Sequence, residues 1–152
     1  MSSETKLFFG ADHAGVGLKQ VLLEKLRAEF PAMAFEDLGP ASEASVDYPD
    51  FAEKVAREVV KHGARGVLIC GSGLGMCISA NKIDGIRAVS GWDATSARLS
   101  RQHNNANVLC LGARLLGVET ALETCRVWIK TEFEGGRHQK RIDRITQLEG
   151  KK

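Results

Sequence analysis

Apolar stretches long enough to cross a bilayer are missing from this chain of 152 residues, which removes a helical membrane span from consideration. An excess of one charge is missing as well. With 21 Lys and Arg against 19 Asp and Glu, the net charge of +2 leaves no overall field that would draw nucleic acid or a membrane surface. Cysteine is sparse: Cys70, Cys77, Cys110 and Cys125 form no C-x-x-C pair and no His/Cys cluster at metal-ligand spacing, so a zinc site or disulfide framework is not expected. Reduced thiols in a cytoplasmic protein are. Internal repeats and low-complexity tracts are absent, and no signal-peptide apolar core precedes the first apolar run. The final Glu-Gly-Lys-Lys is no peroxisomal address. At this length one core is expected, in a single domain over residues 1–152 with a flexible N-terminus at residues 1–5.

Glycine is plentiful, with 16 residues, and four of them lie between positions 66 and 76. Val67, Leu68 and Ile69 read as a buried strand that ends in Cys70, and Gly71, Gly73 and Gly75 follow at alternate positions. Alternating glycines let backbone N–H groups converge on an anion, and a helix predicted over residues 76–82 points its positive end at the same place. A sulfur base or nucleophile beside an oxyanion cradle outlines a catalytic centre. The plainer alternative is a strand-to-helix turn with a buried, inert thiol. Spacing rules down other loops. No Gly-Lys-Ser/Thr follows as a P-loop needs, and the third glycine of a dinucleotide fingerprint would fall at Met76, although Asp93 stands at a suitable distance for a ribose contact. Gly75, Met76 and Cys77 occupy the far end of the loop, where a cysteine phosphatase would want an arginine.

Apolar runs alternate with amphipathic stretches along the whole chain, the pattern of a parallel sheet covered on both faces. Strands are predicted over residues 6–10, 34–38, 66–70, 86–90 and 107–111, and helices over 16–30, 48–62, 76–82, 94–102 and 117–133. The fold class is therefore α/β, a doubly wound, Rossmann-like five-stranded parallel sheet, and such sheets bind ligands at the carboxyl ends of their strands. Beyond Gly135-Gly136 a C-terminal helix is predicted within residues 137–149, carrying Ile142, Ile145 and Leu148 on one side and Arg137, Arg141 and Arg144 on another. Its apolar side is too narrow for a core helix, so it should pack on another surface, such as a second copy of the chain. The arginine row suits phosphate, and equally suits water.

The remaining loops carry polar groups with two readings each. Asp12 and His13 follow the first strand between Gly10 and Gly15, as sugar and anion ligands or as a helix cap with an incidental imidazole. His103 and Asn104 end the fourth helix, as a proton-transfer group with an oxygen-polarising amide or as a polar turn. Arg114 follows the fifth strand, and Asp47 and Tyr48 open the second helix as cap and packing residue or as site residues. Cys70, Asp12, His13, His103, Asn104 and Arg114 are all expected at one edge of the sheet. A thiol base, two imidazoles, an anion nest and arginines, without metal ligands, suit proton shuffling on a small phosphorylated or carboxylated substrate.

From Lys6 to about Leu148 the chain resembles the B-type ribose-5-phosphate isomerases and their galactose-6-phosphate isomerase relatives. The resemblance rests on Gly10-Ala11-Asp12-His13-Ala14-Gly15, Asp47-Tyr48-Pro49, Cys70-Gly71-Ser72-Gly73-Leu74-Gly75, Ala80-Asn81-Lys82 with Gly85-Ile86-Arg87-Ala88, Ser100-Arg101-Gln102-His103-Asn104 and Glu134-Gly135-Gly136-Arg137-His138. It implies metal-free, cofactor-free interconversion of ribose 5-phosphate and ribulose 5-phosphate through an enediolate, in a homodimer with sites between subunits. Carried over, His103 opens the sugar ring with help from Asp12, and Cys70 moves the proton between C2 and C1. Ser72 relays a proton between the two oxygens, Asn104 and the amides from Gly71 through Gly73 and Leu74 to Gly75 steady the enediolate, and Tyr48 lines the pocket. His13, Arg114, Arg137 and Arg141 hold the phosphate. One branch of the family replaces the cysteine by a glutamate just after the last loop glycine. Met76 stands there in this chain, which leaves Cys70 without a competing base. Rival readings are the same chemistry on a six-carbon sugar phosphate, a silent sugar-phosphate or nucleotide-binding module, and a dehydrogenase.

Overall fold

The computed structural model describes residues 5–151, so the expected flexible N-terminus falls, apart from Thr5, outside the described residues. The strands are β1 (Lys6–Ala11), β2 (Ala34–Asp37), β3 (Arg65–Cys70), β4 (Ala88–Ser90) and β5 (Val108–Gly112). Between and after them run α1 (Val16–Glu29), α2 (Tyr48–His62), α3 (Leu74–Ala80), α4 (Ala94–Asn104), α5 (Val118–Lys130) and α6 (Arg137–Thr146). Every strand pair is parallel, in the order β2-β1-β3-β5-β4. The chain thus steps outward from β1 to β2 and returns on the other side at β3. That reversal opens a crevice at the carboxyl ends of β1 and β3.

Alternation along the strands builds the two layers. Phe9, Val67, Ile69, Leu109 and Leu111 face α1, α4 and α5, where Leu22, Leu26, Leu122 and Trp128 complete one core cluster. Phe8, Leu68, Cys70, Val108 and Cys110 face α2 and α3, meeting Val55, Val59 and Met76 in the other. With strands buried on both sides, the near-continuous apolar runs of the sequence follow directly.

Local chemistry fixes the helix ends. Pro49 stands in the first turn of α2, Gly63 ends that helix in the left-handed conformation at φ 58°, and Asp47 makes no side-chain cap bond. Asp93 and Ser96 form a reciprocal capping box on α4. That helix runs two residues beyond its predicted end, because Asn105 at φ 45° supplies the left-handed terminator. Helix α3 begins two residues earlier than predicted, since Gly73 at φ 79° serves as its N-cap. Helix α6 lies against α4 of its own chain, burying His138 and Ile142 while leaving Ile145 and Leu148 exposed. Lys19 is wholly buried in α1, where its ammonium donates to Asp37 Oδ1 and to the Pro40 carbonyl, each at 2.7 Å, tying the helix to the loop after β2.

Candidate active site

The crevice at the β1/β3 switch point holds a cavity of about 420 Å³ lined by Asp12, Tyr48, Cys70, Gly71, Ser72 and Arg114, among others. The β3 loop is clamped from the side by the β5 loop, through bonds from the Ala113 amide to the Cys70 carbonyl (2.8 Å) and from the Arg114 amide to the Gly71 carbonyl (2.9 Å). This brings the Arg114 guanidinium over Gly71, where an added Cβ would sit 3.2 Å from Nη1. Tyr48 is placed in the same way. Its ring covers Gly75 so closely that a Cβ there would lie 2.5 Å from Cε1.

The loop uses some of its amides internally. Gly73 N–H donates to Cys70 Sγ at 3.1 Å, and Leu74 N–H donates to Ser72 Oγ at 3.2 Å. The amides of Gly71, Ser72 and Gly75 make no internal hydrogen bond among the described residues. The expected cradle of five consecutive amides is thus reduced to these three, with the Gly73 amide aimed at the sulfur.

Asp12, 7% exposed, spends Oδ1 on the amides of Ala14 (2.9 Å) and Gly15 (3.2 Å), a local turn that leaves Oδ2 for a ligand. His13 Nδ1 accepts the Val46 amide at 3.2 Å. In the neutral ring the proton then sits on Nε2, which leaves that nitrogen as a donor.

The other expected site residues lie elsewhere, and the single-edge arrangement inferred from the sequence is corrected. Helix α4 runs back along the sheet, so His103 and Asn104 precede the start of β5 at its amino end, whereas Cys70 pairs with Gly112 at the carboxyl end. The Glu134 amide bonds the Gln102 carbonyl at 3.1 Å, which brings Arg137 and Arg141 of α6 to this amino-end group. Arg144, on the same helix, is engaged by Gln147. The candidate residues therefore fall into two groups on opposite edges, each a candidate half-site: Asp12, His13, Tyr48, Cys70, Ser72 and Arg114 on one, His103, Asn104, Arg137 and Arg141 on the other.

The amino-end half also contains a residue the sequence reading gave no role. His138 is 7% exposed and stacks on His103 with ring centroids 4.4 Å apart, and its Nε2 lies 3.5 Å from Glu134 Oε2. Burial, His103 and Arg137 and Arg141 all hold His138 below the usual histidine range, outweighing Glu134. Its place next to Arg137 in the sequence was visible, but the stacking on another helix was not. His103, Glu134 and His138 are the one grouping among the described residues with ligand atoms close enough for a metal ion, within 4.8 Å of one another. The two rings lie nearly parallel, at 17°, so their in-plane lone pairs run side by side instead of converging.

Of the other thiols, Cys125 is raised to about 12 by burial, and burial likewise pushes Cys110 up. Cys77 is lowered by hydrogen bonds from Cys110 and Ser90. None lines the crevice.

The family model of ribose/galactose isomerases matches residues 7–145. The chain is 43% identical over 145 residues to ribose-5-phosphate isomerase B of Escherichia coli, covering 95% of this chain and 96% of that one. It is 40% identical over 142 residues to D-erythrulose-4-phosphate isomerase of Pectobacterium atrosepticum, covering 92% of each. The structure superposes with a TM-score of 0.93 on ribose-5-phosphate isomerase B of Mycoplasma genitalium with bound ribulose 5-phosphate, at 40% identity over 99% of this chain and 100% of that one. Motifs, sheet order and these likenesses over almost the whole chain agree, and the protein belongs to the ribose/galactose isomerase family.

Proposed function

We propose that this protein interconverts D-ribose 5-phosphate and D-ribulose 5-phosphate, in the non-oxidative branch of the pentose phosphate pathway, without a metal or cofactor. The observation that carries the reading is the Cys70 thiol beside three free amides, Asp12, Ser72 and Arg114, in a chain similar to an isomerase holding ribulose 5-phosphate. An aldose–ketose conversion needs a base that removes a proton from one carbon and returns it to the next, with donors where the enediolate gathers charge. Cys70 moves the proton between C2 and C1. The amides of Gly71, Ser72 and Gly75 face the developing oxyanion, and Ser72 relays a proton between O1 and O2. Asp12 assists ring opening through its unengaged oxygen, and Tyr48 walls the pocket.

His103 opens the furanose ring, Asn104 steadies the enediolate, and Arg137 and Arg141 join Arg114 and His13 on the phosphate. Because the chain's own His103 half lies at the far edge of the sheet, these groups come from a second subunit. The working enzyme is a homodimer with two shared sites, placed in the cytoplasm. Exposed Leu74 and Ile78 on α3, and Leu115 beside Arg114, supply an apolar rim for that contact.

The test is ribulose 5-phosphate formation by the metal-stripped protein, beside Cys70→Ala. Activity should survive chelation and fall by roughly a hundredfold or more in the variant. Full activity in Cys70→Ala removes Cys70 as the base, and binding without turnover by the wild type makes the chain a silent binding module. The likeness to a D-erythrulose-4-phosphate isomerase supports a second reading, the same chemistry on a four-carbon substrate. Assaying four-, five- and six-carbon sugar phosphates side by side decides among them.

A further inference from the structure

At the amino edge of the sheet, outside both half-sites, lies a cavity of about 390 Å³ that the isomerase chemistry does not use. Three arginines from three different elements line it: Arg65 at the start of β3, Arg87 just before β4 and Arg101 in α4, with Asn105 and Asn107 beside them. Arg101 is 6% exposed, and Arg65 and Arg101 both lie over the buried Trp128 ring, 5.4 and 5.9 Å from its centroid. None of the three makes an ion pair within 4.0 Å among the described residues. Glu132 and Glu149 are the carboxylates whose charge reaches them, and Glu149 is already bonded to the Gly85 amide at 2.7 Å.

The arginines spend only part of their donor capacity on the protein. Arg65 gives Nη1 to the Trp128 carbonyl, and Arg87 gives Nε and Nη2 to the carbonyls of Asn104 and Asn105. Arg101 gives Nε to the Thr131 carbonyl and Nη1 to Asn105 Oδ1 and the Ala106 carbonyl. Arg65 Nε and Nη2, Arg87 Nη1 and Arg101 Nη2 make no side-chain bond among the described residues, leaving unused guanidinium donors on all three lining arginines. Burial first, and then the charges of Arg65 and Arg87, lower Arg101 to about 10 against the opposing charge of Glu132. A bound anion would relieve this repulsion and occupy the free donors in the geometry guanidinium groups favour.

We propose that the cavity framed by Arg65, Arg87 and Arg101 is a second anion site, which takes an oxyanion of the phosphate class, either inorganic phosphate or the phosphate of a small monoester. It is separate from the phosphate contacts assigned to the shared active site, and it stands whether or not that assignment does.

Crystals of the wild-type protein soaked in tungstate locate the site without any substitution. Anomalous density between the three guanidinium groups is the expected result, and density at Arg114, Arg137 and Arg141 alone overturns the proposal. Calorimetric titration with inorganic phosphate should show two sites per chain. Arg65→Gln with Arg87→Gln should weaken one of them at least tenfold, and Arg137→Gln the other. A single site, lost in Arg137→Gln, overturns the proposal. A parallel titration with glycerol 3-phosphate separates the sources: tighter binding of the monoester assigns the site to an ester, and tighter binding of phosphate assigns it to the free anion. Binding of neither at the arginine cavity refutes both.

Discussion

Co-expressing two inactive variants with different tags, Cys70→Ala and His103→Ala, should yield an active mixed dimer. The magnitude follows from the strand register. Gly66 pairs with Val108 and Cys70 with Gly112, so four residues of β5 separate the two edges. At about 3.3 Å per residue that is roughly 13 Å along the strand, several times the ~3 Å over which a base or acid reaches its substrate. In a mixed dimer one site then contains an intact Cys70 and an intact His103, from different chains, while the other site contains both lesions. Purified by both tags, the mixed dimer should show about half the wild-type turnover per dimer, against parents each reduced roughly a hundredfold or more. The assay is initial-rate ribulose 5-phosphate formation at saturating ribose 5-phosphate, with native mass spectrometry confirming one chain of each kind. If both groups acted from a single chain, every site in the mixed dimer would lack one of them. A mixed dimer as inactive as its parents therefore refutes the split site.

Two further outcomes bear on stability. Lys19→Met keeps the buried stem but removes the donor to the Pro40 carbonyl and to Asp37, which is partly exposed and can turn to water. A loss of about 2 kcal/mol, or roughly 4–8 °C in Tm, is expected in chemical and thermal unfolding, and an unchanged Tm would show the pair to be neutral. His138 is held below the usual histidine range in the fold. Above its unfolded value of about 6.5 it is neutral in both states and costs nothing; as pH falls below that, the unfolded chain takes up the proton first and stability declines until the folded value is passed. His138→Gln should flatten that acid-side decline, and an NMR titration of the His138 ring at or above the usual range would contradict the reasoning.

Much of this was legible in the sequence, for reasons that differ by element. Helix α2 was bounded correctly at both ends because Tyr48-Pro49 and Gly63 are local signals, readable without knowledge of the rest of the fold. Helix α3 was misplaced by two residues because Gly73 can lie in a loop or cap a helix equally well, and packing against β5 decides which. The 86–90 strand shortened to Ala88–Ser90 because the Ile86 amide is taken by the Ile83 carbonyl and the Arg87 amide by Asn107, bonds made to a turn and to another strand's approach. Candidate site residues could be named from motifs, but the edge of the sheet that each one occupies could not. That is a matter of helix direction: α4 travels opposite to the strands, so a residue at its end faces the amino edge however near it stands to the next strand in sequence. The arginine cavity escaped for a related reason. Arg65, Arg87 and Arg101 are separated in the chain and meet only when β3, β4 and α4 are assembled.

The strand order also says which parts of the molecule can breathe. Strands β2 and β4, of four and three residues, each pair on one side only, while β1, β3 and β5 are hydrogen-bonded on both. Local opening starts at such margins and reaches doubly paired strands last. The Asp12, Cys70 and Arg114 loops all hang from the inner three strands. Amide exchange at the margins can therefore be fast while the crevice loops on the inner strands keep their shape, and the proposed catalytic geometry draws on the full stability of the fold.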